Sequence, residues 1–366
     1  MRIRNTAFAS VAIVALALTG CASGDSDSVV SGDAEVNVED GLVIDGELIA
    51  DKETYEAAKE QTLSLYTGYQ DANQKAFNEA FTADTGIKVE YVRDVTNKLS
   101  ERVLSEHGAG RLPADVIITS DYKVANEFGE AGIWEPYTPL PIQDEEELQH
   151  DGGDFTTFAN VAVTFAYNTQ LVSEEDAPKS WMDLLDPAND GKIGLTKGTA
   201  GGSSIALNRF IQEEVDADYW SKMAALKPTI FDSGGQRQEA LARGELNVAT
   251  AGTASVNVAV TQDNAPIMLV VPEEGIVLFS FFAGKVADAQ NSEAAEVFLN
   301  YALSKRGQSV ISQVGDYAAR ADVEPPVAAG IELPALDSEQ VWIMPAEGEL
   351  EYGSADAEIW KSAFGH

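Results

Sequence analysis

Cysteine occurs once in the 366 residues, at Cys21, so no disulfide can form within the chain and no cysteine cluster can hold a metal. Histidine occurs three times, at His107, His150 and His366, far apart in sequence. A zinc enzyme or a Ser–His–Asp hydrolase therefore has little material to draw on. Neither a G-x-S-x-G elbow nor an H-E-x-x-H helix motif is present. Basic residues are also scarce: 24 Lys and Arg stand against 60 Asp and Glu, a formal charge of −36. Such a charge repels nucleic acid and anionic lipid head groups. It favours solubility without identifying a ligand.

The first twenty residues read as a targeting segment. Arg2 and Arg4 give a basic start, and Ala7 to Leu18 form an apolar run of twelve, too short to span a bilayer. LTGC follows at 18–21, and it resembles the lipobox of bacterial lipoproteins, with Cys21 at the acylated position. A mature chain beginning at Cys21 would carry 22 basic and 60 acidic residues, a charge of −38. It would be lipid-anchored to the outer face of the cell membrane.

Residues 21–60 are small, polar and acidic, and their composition predicts a flexible tether, with a short helix possible at 51–60. From 61 the pattern is regular. Strands are expected at 63–69, 87–92 and 114–120, with helices at 73–86, 97–110 and 121–132; Gly86 suits a helix C-cap. This alternation predicts an α/β fold with a parallel sheet, whose ligands sit at the carboxyl ends of its strands. Those ends are Thr67, Gly68 and Tyr69, then Ser120 and Asp121. Beyond 158, strands are expected at 161–167, 192–196, 246–250 and 277–286. Helices are expected at 180–186, 203–214, 217–226 and 235–243, two more within 292–315, and one at 355–364.

Several stretches in order along the chain carry a resemblance. They are LSLYTGY, FTADTGIKVEYV, LPADVIITSD, GEAGIWEPY, AVTFAYNTQLV, SWMDLLDPANDGKIGLTKGTAGGSS, ARGELNVATAG, the return from PEEGIVLFSFFAGKV to YAARADV, and EIWKSAFG. Over about 61–365 the chain resembles the extracellular solute-binding proteins of bacterial ABC importers, in the branch of ferric-iron, thiamine, polyamine and phosphonate binders. The resemblance implies a two-lobed periplasmic-binding-protein fold of type II, with hinge strands and an interlobe cleft. Residues 61–160 would begin lobe 1, 161–275 would form lobe 2, and 276–325 would return to lobe 1. A C-terminal segment, 326–366, would end in a helix. The implied partners are a small solute, a permease and its ATPase. A monomer without cofactor or enzymatic activity is expected.

Laid on the ferric pattern, the His, Glu and paired Tyr ligands fall at Gln70, Ser120, Ala254 and Ser255. None supplies the anionic oxygen that Fe³⁺ prefers, so ferric iron is disfavoured, although Tyr69, Tyr122, Tyr167 and Tyr317 leave another site conceivable. The resemblance places an anion at Thr199, Ala200 and Gly201, with Ser203 and Ser204 beside them, at the start of a second-lobe helix. Free N–H groups and the helix dipole suit negative charge there; a plain helix cap is the alternative. No Lys-Ser/Thr follows the glycines, which excludes a nucleotide P-loop. The turn FDSGGQRQ repeats the chemistry with Ser233, Gly235 and Arg237; Arg237 either grips an acid group or is a solvated helix arginine. Thr253 follows ATAG and is a further ligand candidate. Tyr317 and Arg320, in YAAR, are further cleft candidates, Arg320 alternatively forming an interlobe salt bridge. Asp121 either binds an ammonium group or caps a helix. The expected ligand is anionic or zwitterionic, such as a phosphonate or phosphate ester. The rival readings are a ferric binder with an unusual site and, from another class, an exported hydrolase.

Overall fold

A computed structural model describes residues 32–198 and 201–365. The signal segment, Cys21, Thr199 and Ala200 lie outside the described residues.

The described chain begins with an antiparallel meander, β1 (Val36–Asn37), β2 (Gly41–Ile44) and β3 (Glu47–Asp51), followed by α1 (Lys52–Ala58). Over 36–58 this replaces the tether expected for 21–60; residues 21–31 lie outside the described residues. Leu42, Ile44, Ile49, Ala50, Tyr55 and Ala58 are all buried in the main core. Tyr55 donates to the Thr85 carbonyl at 2.9 Å, and Asn300 Nδ2 donates to that of Ile49 at 2.8 Å. Composition misled because the acids occupy the outer face while a short alternation of apolar residues turns inward.

Lobe 1 follows as β4 (Thr62–Thr67), α2 (Asp71–Thr85), β5 (Lys88–Arg93), α3 (Thr96–Gly108), β6 (Val116–Thr119) and α4 (Tyr122–Glu130), then β7 (Trp134–Glu135) and β8 (Gln149–His150). β4 lies between β5 and β6, parallel to both. All four residues of β6 are buried, as expected for a strand covered on both faces. In α2, Phe77 and Phe81 are fully buried at i, i+4 spacing, and Gly86 ends the helix at φ 78°, where a side chain would be strained.

The chain crosses to lobe 2 along β9 (Phe155–Asn168), fourteen residues and longer than the strand expected at 161–167. Lobe 2 contains β10 (Ile193–Thr196), α5 (Gly202–Phe210), α6 (Tyr219–Ala225), β11 (Thr229–Phe231), α7 (Gly234–Ala242), β12 (Val248–Gly252), α8 (Thr253–Thr261) and β13 (Ile267–Val270). The return strand β14 (Ile276–Val286) pairs antiparallel with β9 from Val277 opposite Val163 to Ala283 opposite Thr156, with a register shift between Phe281 and Phe282. These two strands join the lobes into one sheet of order β11-β10-β12-β9-β14-β6-β4-β5. Parallel strands of each lobe therefore flank a pair of crossing hinge strands.

Lobe 1 is completed by α9 (Ser292–Leu303), α10 (Lys305–Gln313) and β15 (Tyr317–Ala318). A small hairpin, β16 (Val327–Ala328) and β17 (Ile331–Glu332), precedes β18 (Val341–Ile343), which pairs parallel with β14. The last helix, α11 (Gly348–Phe364), is longer than expected and packs Trp360 against Trp220, ring centroids 5.0 Å apart. Among the described residues no helix is long and apolar enough to cross a membrane.

Candidate ligand cleft

On the lobe 1 side, the loop after β4 is closed by its own side chains. Thr67 Oγ1 donates to Gln74 Oε1 at 2.8 Å and accepts the Tyr69 N–H at 3.0 Å. The Gly68 N–H donates to the Ile118 carbonyl at 2.7 Å. Tyr69 is a correction: its ring is buried between Phe158 and Phe281, with centroids at 5.5 and 5.2 Å, so it cannot face a solute. Its hydroxyl donates to Asp316 Oδ2, which also accepts from Asn73 Nδ2 at 2.7 Å. Burial pushes the Asp316 carboxyl up to about 7, partly opposed by these two donors, and its Oδ1 has no partner among the described residues. Burial and this carboxylate also raise the Tyr69 hydroxyl well above its ordinary value.

The end of β6 stays at the cleft. Ser120 Oγ shares a 2.9 Å hydrogen bond with Thr96 Oγ1 and lines a small interlobe pocket with Gly202, Phe279 and Ser280. Asp121 caps α4, its Oδ1 accepting the Val124 N–H at 2.9 Å, so the structure shows the capping alternative in use.

On the lobe 2 side, helices α5, α7 and α8 each begin just beyond the carboxyl edge of the sheet. Gly201 precedes α5 at φ 147°, a conformation that favours glycine, and Ser203 stands half-buried in the first turn. Ser233 caps α7, its Oγ accepting the Gln236 N–H at 3.4 Å; Ser233 and Gly235 are exposed. Thr253, the first residue of α8, is buried and donates to the Gly315 carbonyl at 3.3 Å, so its hydroxyl is already engaged.

Arg237 is not the solvated arginine offered as an alternative; it is 8 % exposed. Helical side chains lean toward the N-terminus, and its stem runs back across β10. A methyl on Gly194 would stand 2.5 Å from Leu246 Cδ1 and 3.3 Å from Arg237 Cγ, so the glycine there leaves room for both side chains. The guanidinium reaches the strand's end, where Nη1 donates to Thr196 Oγ1 and Nη2 lies beside Gly234. Among the described residues its Nε has no acceptor, and no carboxylate pairs with it. Burial alone pushes it down to about 10.

Two other candidates are corrected. Tyr317 is buried and donates to the Pro334 carbonyl at 2.7 Å. Arg320 donates to both oxygens of Asp322 at 2.9 and 3.0 Å and pairs with Glu47 Oε1 at 3.0 Å. It ties the N-terminal meander to lobe 1, within that lobe rather than between the two. Of the positions corresponding to iron ligands, Ala254 is buried and Ser255 offers its backbone carbonyl to Gln238. Among the described residues no group of His, Cys, Asp and Glu stands ready to hold a metal. Sequence reasoning missed Thr196, Asn73 and Asp316. Thr196 carried a signal as the residue ending the strand before KGTAGG; Asp316 carried none.

The bacterial extracellular solute-binding protein family matches residues 112–341, more than half of the chain. The chain belongs to this family. It is 28 % identical over 266 residues to spermidine/putrescine-binding periplasmic protein 1 of Haemophilus influenzae, covering 68 % of this chain and 72 % of that one. A Salmonella typhimurium periplasmic protein provisionally named for 2-aminoethylphosphonate binding is 27 % identical over 260 residues, covering 68 % and 74 %. Among solved structures, the substrate-binding protein of an ABC transporter from Agrobacterium tumefaciens superposes with a TM-score of 0.71 at 17 % identity, covering 84 % of this chain and 96 % of that one. Iron-bound HitA from Pseudomonas aeruginosa gives 0.65 at 22 %, covering 81 % and 99 %. The fold is thus that of the type II periplasmic binding proteins, and the chain is a substrate-binding protein of the ABC transporter class.

Proposed function

We propose that this chain is the lipid-anchored receptor of an ABC importer and that it captures a small anionic or zwitterionic solute, such as a phosphonate or phosphate ester, in the interlobe cleft. The observation that carries the reading is Arg237. A buried guanidinium without an acid partner is costly to keep, and an acid group on the solute would complete it. The guanidinium fork offers paired N–H donors, the start of α7 adds unsatisfied backbone N–H groups, and lobe closure removes water from around them. The solute is held and passed to a permease unchanged. The relative named for 2-aminoethylphosphonate supports this ligand class, while another relative is named for spermidine and putrescine. The anchor rests on LTGC and Cys21. Isothermal titration with 2-aminoethylphosphonate, sugar phosphates, spermidine and ferric citrate tests the reading. Binding confined to the phosphonate and phosphate esters is expected; binding of only spermidine or ferric citrate would defeat it. Incorporation of labelled palmitate, lost in Cys21→Ser, tests the anchor.

A further inference from the structure

Two contacts between the lobes are made by a glycine backbone. Gly202, the first residue of α5 in lobe 2, lies against the carbonyl oxygen of Ser120 at the end of β6 in lobe 1. A methyl at 202 would overlap that oxygen and stand 3.1 Å from Phe279 Cδ2. Gly315, just past α10 in lobe 1, packs on α8 in lobe 2, and a methyl there would stand 3.5 Å from Ala254 Cα. The Gly315 carbonyl accepts the Thr253 hydroxyl at 3.3 Å. The second contact is ordinary packing. The first leaves no room at all.

We propose that Gly202 sets the closest approach of the lobes, so that its missing side chain permits the cleft to shut and fixes how firmly a solute is retained. The inference rests on the solute-receptor reading above. The neighbouring Gly201 has a different reason to be glycine. Its φ of 147° disfavours a side chain, whereas an added methyl would meet nothing within 4 Å. At Gly202 the restriction is the opposite lobe. Neither a backbone oxygen nor the first turn of a helix can move aside as a flexible side chain would. The displacement must pass to the hinge strands β9 and β14. A group that penalises only the closed state lowers its population and weakens every solute that needs it.

Gly202→Ala tests this, because alanine favours the helix itself and any local effect on α5 runs the other way. Distances between spin labels at Glu130→Cys in lobe 1 and Asp263→Cys in lobe 2 report closure. They are read in a Cys21→Ser background, without solute and with saturating 2-aminoethylphosphonate. Gly202→Ala is expected to deplete the short-distance population in both conditions and to speed solute release at least tenfold, with the melting temperature kept. Arg237→Ala should keep the unliganded distances and lose only the response to the anion. If no anionic probe moves the wild-type distances, the proposed ligand class fails, while the unliganded comparison still decides the role of Gly202. Wild-type distances in Gly202→Ala under both conditions would overturn the proposal. So would a large fall in melting temperature, which would make position 202 a matter of packing.

Discussion

Arg237 donates to Thr196 Oγ1 and meets no carboxylate among the described residues, whereas Arg320, equally buried, is gripped by Asp322 and Glu47. Two arginines of similar burial thus have opposite surroundings. Arg320 is a structural tie. Arg237 is a cation kept without compensation, the arrangement expected where an anion comes and goes.

Replacing Arg237 with methionine should therefore separate stability from function. Removing an unpaired buried charge is expected to raise the melting temperature of the unliganded protein by several degrees, while loss of a charge-assisted pair of about 3 kcal/mol lowers solute affinity roughly a hundredfold. Calorimetry of unfolding and of binding reads both. A lower melting temperature with unchanged affinity would make Arg237 structural.

Asp316 predicts a pH dependence. Burial without a cation pushes its carboxyl up to about 7 in the folded chain, far above its ordinary value. The folded state therefore holds a proton that the unfolded chain has released. Stability falls as pH rises from about 4 to 7 and levels above, by an amount on the order of 2–4 kcal/mol. Asp316→Asn keeps an acceptor for Tyr69 and Asn73 and should abolish that part of the slope, so that it gains on wild type at pH 8 relative to pH 5. Parallel pH profiles of melting temperature would show that the group does not titrate in this range.

The N-terminal meander predicts the outcome of truncation. A chain shortened to begin at residue 60 loses the buried Leu42, Ile44, Ile49 and Tyr55 and the anchor of Arg320 on Glu47. It should melt well below the mature protein or fail to fold, as several buried apolar side chains are each worth about 1.5–3 kcal/mol. An unchanged melting temperature would restore the tether reading.

Much of the lobe architecture was legible because it follows from local rules. The apolar spacing of Phe77 and Phe81, the C-cap at Gly86 and the apolar run 277–286 each fix an element without help from distant residues. The site was less legible. Ser120 follows β6 and lines the interlobe pocket, while Gly201 and Arg237 sit at the starts of α5 and α7. Tyr69 and Tyr317 turned inward because their partners, Asp316 and Pro334, come from elsewhere in the chain, and Arg320 is held both by its neighbour Asp322 and by the distant Glu47. A polar side chain read from sequence cannot reveal that such a partner has already taken it. The meander was missed for a related reason, since the few inward residues of 36–58 are diluted by acids that face water.

Asp121 offers a narrower check. As the cap of α4 it should contribute about 1 kcal/mol to stability, lost in Asp121→Ala. Affinity for 2-aminoethylphosphonate should stay within a factor of two. A large loss of affinity for that zwitterion, with little loss for a sugar phosphate, would return Asp121 to the role of ammonium ligand.

The most direct measurement is a crystal structure of the mature chain with the tightest-binding phosphonate or phosphate ester. An acid oxygen is expected within hydrogen-bond distance of the Arg237 guanidinium, at the start of α7 and under a closed lobe 1. A solute bound elsewhere, with Arg237 still resting on Thr196 alone, would contradict it.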